Sequence, residues 1–569
     1  MGDSFEPSYL TSRNKVFTTA AYDSHKNIVL LAFEIIEKIV RDYFPYITET
    51  ETTAFTDCVN CLIAFTNSRS NKEISLSAIG FLRLCATKLA EGDIGFSRNK
   101  EKEGSEISRS PHRGKDRIYE NGELANKEDH LYFWFPLLTG LSELSFDPRQ
   151  EIRKNALQVL FDTLRNHGHN FSLSLWEGVF ESVLFPIFDH VRQAIDPSGG
   201  DRSSKHGVDG DEDLDQDSWL YETCTLSLQL MVDIFVNFYG TVNPLLGKVL
   251  KLLVDFIERP HQSLAGIGVA ALVRLMSNAG GLFSEDKWLE VVLSIKGAAN
   301  TTFPDFSFVV CKDGGFMNRE DVSTPRSNAE SGVQLEDSDK QQSGGYLYAA
   351  IADIKCRTAV QLLLIQAITE IHSIYRLQLS VKNTIILFDA VLGVANHAHE
   401  INTNATLRSR LQELGPMTQM QDPPLLRLET ESYQICLTLL QNLSEDRPPF
   451  DEESQVESYL IDLCHEVLKS YVEIARPPHM TQLPTNGRPH WLIPLGSGKK
   501  RELAARGPLI VATLQAICSL GDPSFVKNLA RFLPLLSSLI RCEHGSNEVQ
   551  VALSTMLSSS VGPVLLQLC

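Results

Sequence analysis

Five stretches of this sequence share one pattern of apolar and small residues, and that pattern constrains the fold more than any other feature. Each stretch has an apolar residue at its fourth position, a small residue four positions later and an apolar residue four beyond that. The stretches begin at His25, Asn71, Arg149, Asp217 and His261. Their small residues are Ala32, Ala78, Ala156, Cys224 and Gly268. This spacing places all three residues on one helical face, whose small centre lets a neighbouring helix approach closely.

The distance between the stretches predicts a helical repeat. Once two polar inserts are removed, the stretches recur at roughly 40–47 residues, the period of two-helix HEAT and armadillo repeats. Alternation with period two is scarce, and nearly every apolar stretch repeats at three and four residues, which is typical of helices. We therefore expect an all-α fold, a HEAT/armadillo-type α-solenoid of antiparallel helix pairs with disordered acidic inserts.

Polar stretches divide the chain into segments. Those at 197–216 and 312–345 have compositions typical of disordered loops. The predicted organisation is first HEAT-type units at 1–91, a polar insert at 92–128, central HEAT-type units at 129–311 with the acidic insert 197–216, a disordered linker at 312–345, and degenerate C-terminal helical repeats at 346–569 with a basic Pro/Gly loop at 476–501.

The segment from Asp147 to Gly168 predicts how one repeat is built. It follows the apolar stretch FWFPLLTGLSELSF and opens with an Asp-Pro pair. We expect Asp147 to cap the second helix, Pro148 to occupy its first turn, and Gly168 to end it. The segment is then half of an antiparallel helix pair rather than a catalytic loop.

Charge and targeting signals exclude several classes of protein. The formal net charge of −19 argues against broad nucleic-acid binding, which needs a basic surface. The start of the chain, MGDSFEPSYL, lacks the apolar stretch of a signal peptide, and Glu6 stands where a myristoylation signal has Ser or Thr. No run approaches the roughly 18 apolar residues of a membrane span. We expect a soluble, cytosolic chain.

Motifs for catalysis, metal binding and cofactor binding are weak. Cys58 and Cys61 are the one tight cysteine pair, and no second pair follows at zinc-site spacing, which favours helix packing. HAHE at 397–400 and CHE at 464–466 lack the spacing of helical zinc ligands and indicate polar helix surface. GIG and LGSGKKR are incomplete dinucleotide and phosphate-loop motifs. We predict no catalytic, metal-binding or cofactor-binding residue and no cofactor.

Four basic residues in the segment from Asp147 to Gly168 form the one candidate contact site. The candidates for binding a partner protein or lipid headgroups are Arg149, Arg153, Lys154 and Arg165. On a helix, such a stripe could attract acidic partners or anionic lipid. The alternative is that Glu151 and Asp162 neutralise these residues on a solvated ridge.

Two long segments resemble a known family. They are AYDSHKNIVLLAFEIIEKIVRDYFPYITETETTAFTDCVNCLIAFTNS and YFWFPLLTGLSELSFDPRQEIRKNALQVLFDTLRNHGHNFSLSLWEGVFESVLFPIFDHVRQAID. Both are similar to the C-terminal helical half of the BIG-type large guanine-nucleotide exchange factors for Arf GTPases, above all to plant members. The resemblance is strong over residues 18–310 and continues less clearly to the C-terminus.

The resemblance implies a role in Golgi and endosome traffic, brefeldin A sensitivity of the full-length proteins, and membrane recruitment helped by activated small GTPases. The exchange domain of the family carries an invading glutamate in a Gly-Glu-Ala-type loop, and no matching segment occurs in this sequence. No catalytic residue is carried over. We therefore expect a truncated gene product or fragment that keeps the regulatory scaffold, with the apolar face of the helix after His25 exposed.

Three functional hypotheses remain. The favoured one is a non-catalytic scaffold that regulates or localises Arf activation, with small GTPases of the Arf type or relatives as partners and no nucleic acid. It would be cytosolic and peripherally recruited to trans-Golgi network or endosome membranes, with homodimer formation left open. The alternative is a general α-solenoid adaptor or transport receptor unrelated to Arf activation, against which the family-like segment YITETETT counts. An enzyme hidden in the second half is disfavoured by the missing motifs.

Overall fold

A computed structural model of the chain describes residues 16–43, 52–68, 71–91, 133–189, 210–310, 336–415, 419–445, 453–475 and 496–568. All regular secondary structure within these ranges is helical, and they contain no strand. The chain divides into two compact units, Met1–Val249 and Leu250–Cys569. The all-α prediction is confirmed, and the helices of each unit are described separately below.

The first unit contains the first four of the five predicted repeat stretches. After a short helix at 16–21, its main helices are α1 (Lys26–Tyr43), α2 (Thr52–Thr66), α3 (Lys72–Ala90), α4 (133–143), α5 (Gln150–His167), α6 (Leu173–Val179, continuing through a π-helical turn, Phe180–Leu184, to 189) and α7 (Gly210–Asn237). Helix α2 packs on α3, α3 on α5, and α5 on α7. The boundary between the units falls inside α8 (Leu246–Ile257).

The second unit is also built of helices, up to the end of the described chain. Its main helices are α9 (Gln262–Ala279), α10 (Glu285–Thr301), α11 (Glu336–Tyr375), α12 (Val381–Thr403), α13 (Ala405–Leu414), α14 (Leu426–Glu445), α15 (Glu453–Ala475), α16 (Ser497–Cys518), α17 (Asp522–Arg541) and α18 (Asn547–Met556). Alternate helices pack in a row, with α10 on α12, α12 on α14, α14 on α16, and α16 on α18. Contacts between near neighbours in the sequence are the mark of a HEAT/armadillo-type repeat.

The repeat pattern sets where helices begin. Helices α1, α3, α5 and α9 each start at the second residue of their stretch, at Lys26, Lys72, Gln150 and Gln262. The small central residues of all five stretches are buried. The apolar residue four positions further on is buried as well in every stretch. Except at Ile28, which is 45% exposed, the pattern read from the sequence lies on the buried face of each repeat helix wherever its side chains are described.

Gly268 shows why the centre of that face must be small. A methyl group placed there would lie 2.9 Å from Phe256 Cβ and 3.1 Å from the backbone nitrogen of Ile257. Both neighbours are fixed parts of α8, so they cannot move aside as the end of a flexible side chain can. Gly266 lies two residues earlier on α9. A methyl group placed there would meet only Leu363 Cδ1, at 3.9 Å, which is an ordinary contact distance.

Three predicted loops are shorter than expected. Helix α7 begins at Gly210 and α11 at Glu336, so the last residues of the segments 197–216 and 312–345 are helical. Negative charge is favourable near a helix N-terminus, so an acidic sequence does not by itself predict a loop. Helix α16 likewise begins inside the predicted basic loop 476–501, at Ser497. The polar insert 92–128 lies outside the described residues, and the predicted segment boundaries stay predictions.

Two described segments are apolar and long enough to span a membrane, although neither contains an uninterrupted apolar run of that length. They are Gln262–Leu282, with 56% of its most apolar window buried in the protein, and Asn547–Leu566, with 22%. The first contains repeat helix α9 and contributes to the core. The second contains α18 and leaves more of its apolar surface exposed.

Gly268→Ala and Gly266→Ala form a matched pair that tests the close approach of α8 and α9. We expect Gly268→Ala to lower the free energy of unfolding by about 1–3 kcal/mol, because overpacking a tight interface exceeds the gain in helix propensity. We expect Gly266→Ala to be neutral or to raise it by up to about 1 kcal/mol. Chemical denaturation measures both, and equal effects would contradict the account.

Candidate functional site

Arg149 lies at the turn before α5 and is bound on several sides. Its Nη2 donates to the carbonyl oxygen of Thr66 at 2.9 Å and to Asp147 Oδ2 at 2.7 Å. Its Nη1 donates to the carbonyl oxygen of Ser68 at 3.1 Å and to Ser75 Oγ at 3.0 Å. The guanidinium therefore joins the turn between α2 and α3 to the turn between α4 and α5.

Arg153 points into the protein rather than towards solvent. It is 3% exposed, and its Nη1 donates to the carbonyl oxygens of Asp147 at 2.7 Å and Pro148 at 2.8 Å. Burial lowers the pKa of its guanidinium, and the nearby Asp147 carboxylate opposes that effect. The side chain thus satisfies backbone acceptors of the turn that begins the repeat helix.

The turn itself differs from the predicted cap. Arg149, not Asp147, stands at the N-cap position of α5, and it makes no side-chain capping bond. Asp147 Oδ1 instead accepts the backbone N–H of Arg149 at 2.8 Å, the bond of an Asx turn. Pro148 consequently precedes the helix instead of occupying its first turn. Gly168 follows the last helical residue as predicted and starts a 3-10 turn.

Lys154 and Arg165 are the two members of the predicted stripe on the exposed surface of α5. Lys154 Nζ lies 3.5 Å from Glu222 Oε2, with both side chains more than half exposed, so this pair adds little stability. Glu151 and Asp162 pair with Lys72 and Arg83 of α3. The structure therefore does not bring the four basic residues together, and a contact role stays a prediction, best placed on Lys154 and Arg165.

Arg149→Ala separates a structural role from a contact role. We expect it to lower the free energy of unfolding by about 2 kcal/mol, because it leaves partly buried carbonyl groups without a donor. Lys154→Ala, one helical turn away, is the control and should change it by less than about 0.5 kcal/mol. Thermal or chemical unfolding measures both. A neutral Arg149→Ala would show that its hydrogen bonds do not hold the two turns together.

A second polar site lies inside the second unit, and the sequence analysis missed it. Glu429 of α14 is 1% exposed and Arg506 of α16 is 4% exposed. Arg506 donates to both carboxylate oxygens of Glu429, at 2.5 and 2.8 Å. Asn402 Nδ2 lies 2.6 Å from Glu429 Oε2, and His399 Nδ1 lies 2.9 Å from Glu429 Oε1. Three helices of the packed row thus meet at one carboxylate.

Further charged residues extend this site towards α13. Arg506 Nη2 lies 3.5 Å from Glu502 Oε1, and Arg408 Nη2 donates to Glu502 Oε2 at 3.2 Å. Arg408 Nε also donates to Asp422 Oδ1 at 2.6 Å. We refer to Asp422, Glu429, Glu502, Arg408, Arg506, His399 and Asn402 as the ion cluster. It holds α12, α13, α14 and α16 in one arrangement.

The hydrogen bonds keep Glu429 ionised. Burial alone would raise the pKa of its carboxyl, but the bonds from His399 and Arg506 outweigh it and lower the pKa from 4.5 to about 2. Because the pKa is lower in the folded state, the ionised form stabilises the fold above about pH 4.5. That contribution is lost as the pH falls towards 2.

Glu429→Gln tests this site. We expect it to lower the free energy of unfolding at neutral pH by about 3 kcal/mol, because it removes the main partner of the buried Arg506 charge and leaves only Glu502, 3.5 Å away. We also expect the stability of the variant to fall less steeply than that of the wild type between pH 4.5 and 2. Glu431→Gln, an exposed pair partner of Arg427 on the same helix, is the control. Equal losses in the two variants would contradict the account.

The two histidines of HAHE differ from the prediction of polar helix surface. Both are half-buried, and each has a hydrogen-bond partner. His397 Nε2 lies 3.0 Å from the carbonyl oxygen of Pro304, and its ring stacks on Phe303. His399 belongs to the ion cluster. The sequence shows that these positions are polar, but it does not show which face of the helix packs on its neighbours. The partial burial of the two histidines is therefore seen only in the structure.

Metal and thiol chemistry have little support within the described ranges. No group of three or more His, Cys, Asp or Glu residues there is close enough to hold a metal ion. Cys58 and Cys61 are buried in α2, consistent with the predicted helix packing. Burial raises the pKa of the Cys61 thiol to about 12, so it is protonated at neutral pH.

Helix α1 carries a second apolar face besides the one that packs on its neighbours. Ile28, Leu31 and Ile35 are 45%, 60% and 41% exposed, and their spacing places them along one side of the helix. Val29, Phe33 and Ile36 form the buried side. The exposure predicted for the apolar face of this helix is therefore found at Ile28 but not at Ala32 or Ile36, which are buried.

Comparison with known families identifies two matching regions. Residues 359–558 match the family described as the BIG2 C-terminal domain. Residues 134–266 match a GBF1-like tetratrico peptide repeat region. The first match includes the ion cluster and the second includes α5.

Curated relatives match nearly the whole chain. Brefeldin A-inhibited guanine nucleotide-exchange protein 2 of Arabidopsis thaliana is 64% identical over 97% of this chain, and protein 3 of the same organism is 54% identical over 97%. The chain spans about a third of the length of these relatives, 32% and 30% respectively. Among solved structures, a circular tandem repeat protein covers 99% of this chain and 97% of its own, at 10% identity and a TM-score of 0.28. That score is too low to bear on the fold.

Proposed function

Because this chain belongs to the family of brefeldin A-inhibited guanine nucleotide-exchange proteins, we propose that it is a non-catalytic scaffold that regulates and localises Arf activation. The observation that carries the proposal is the 64% identity to an exchange protein over 97% of the chain. Identity of this level across both units, rather than in one motif, favours a shared role for the whole helical surface.

The proposed role is recruitment. Small GTPases of the Arf type or their relatives, in the GTP-bound form on the membrane, would bind an exposed ridge and hold the chain at trans-Golgi network or endosome membranes. The chain would otherwise be cytosolic. Repeat proteins suit such a role because they bind partners along extended surfaces.

Two surfaces of the first unit support this proposal. The exposed aliphatic side chains of α1 (Ile28, Leu31, Ile35) offer an apolar contact, and Lys154 and Arg165 on α5 offer basic groups. Side chains that become fully desolvated carry most of the energy of protein interfaces, whereas charges at the rim mainly steer association. We therefore place the main contact on α1 and a steering role on α5.

Liposome flotation tests the proposal. The purified chain should float with Golgi-like liposomes that carry membrane-anchored Arf loaded with GTP, and should stay in solution with the GDP-loaded form. Leu31→Ser should reduce the floated fraction strongly, and Lys154→Glu with Arg165→Glu should reduce it at low salt. Leu377→Ser, at an exposed leucine of the second unit, is the control. A folded chain that no GTP-loaded Arf protein recruits would favour a general adaptor instead.

A further inference from the structure

A cleft opens onto the ion cluster between four helices of the second unit. Its volume is about 380 Å³, within the range of about 300–1,000 Å³ typical of ligand pockets. Val467, Leu509 and Ile510 contribute apolar side chains to its lining. Residues from α12, α14 and α15 complete the lining. No step of the proposed recruitment uses this cleft.

Several polar groups in its walls bind one another. Glu429 accepts hydrogen bonds from Arg506 and Asn402 and is bonded to His399, as described above. Tyr433 Oη donates to Asn396 Oδ1 at 3.0 Å, and Tyr471 Oη lies 3.1 Å from His544 Nδ1. These bonds fix the shape of the cleft. They also show which polar atoms are already engaged.

His399 lines the cleft and is held by the ion cluster. The Glu429 carboxylate can only accept, so the Nδ1 of His399 carries the proton in their 2.9 Å hydrogen bond. This bond fixes the orientation of the ring.

The rim of the cleft is acidic on balance. Glu466 and Glu473 stand seven residues apart on α15, on the same side of the helix. Lys469 lies between them, and its Nζ is 3.5 Å from Glu466 Oε2. Glu473 forms no ion pair with any other described residue. The positive charge of Arg506 at the floor is matched by Glu429 and Glu502.

We propose that this cleft receives an arginine side chain of a partner protein. The aliphatic stem would pack on Val467 and Ile510, and the guanidinium would donate to Glu473. A planar guanidinium also stacks on aromatic rings, and the half-buried Tyr433 ring lines the cleft. The ammonium group of a lysine is strongly hydrated and would gain less from contact with an aromatic ring than a guanidinium does. The inference is independent of the assignment to Arf activation.

Titration with N-acetyl-argininamide tests the proposal on the full chain. Methyl NMR signals of Val467, Leu509 and Ile510 should shift in a saturable manner. N-acetyl-citrullinamide has the same shape without the charge and should shift them far less. Glu473→Gln should weaken the binding of the arginine probe about threefold, as for other half-exposed ion pairs. Glu457→Gln removes the same charge from α15 outside the cleft and should leave binding unchanged.

Each outcome bears on the proposal. Equal shifts with both probes would show that charge is not recognised and would overturn it. Equal weakening by Glu473→Gln and Glu457→Gln would show non-specific attraction to an acidic protein and would overturn it too. So would the absence of any methyl shift up to the solubility limit of the arginine probe. Unfolding curves of both variants should match the wild type, because both residues lie away from the core.

Discussion

The close approach of neighbouring helices over a small central residue is the constraint on which this fold depends. Ala78, Ala156 and Gly268 stand at the centre of the buried face, where the side chain is a methyl group or a hydrogen atom. Apolar residues lie one turn before and one turn after each of them. This arrangement fixes both the distance and the register of the next helix. Because each helix is placed by its neighbours, a unit presents regular exposed ridges, and repeat proteins bind extended partners along such surfaces.

The ion cluster adds a different kind of constraint in the second unit. Burying Glu429 and Arg506 costs solvation, and their hydrogen bonds offset that cost only in one geometry. A displaced α14 or α16 would separate Glu429 from Arg506, and a displaced α12 would remove the hydrogen bonds from His399 and Asn402. The cluster therefore favours one arrangement of these helices over others of similar apolar packing. It also fixes the imidazole of His399, and so links the interior of the unit to the chemistry of a surface cleft.

The sequence predicted the features that depend on local periodicity. Helix type, the repeat register and the buried small residues all follow from which residues recur at three and four positions. It could not predict features that depend on which face of a helix meets which neighbour. Arg153 and Glu429 look like ordinary surface charges in the sequence, yet both are buried, since their partners lie on other helices or turns. Asp147 was misassigned for a related reason, because an Asx turn and an N-cap use the same residue types.

These constraints describe two helical units of a chain whose family relation points to Arf activation and whose own role we propose to be recruitment. The most direct test is the rate at which fluorescent GDP leaves an Arf-type GTPase in the presence of the purified chain. The account predicts that the release rate equals that of the GTPase alone, while the same chain still binds the GTP-loaded form on membranes. Faster release of GDP in proportion to chain concentration would show that the chain itself catalyses exchange and would contradict the account.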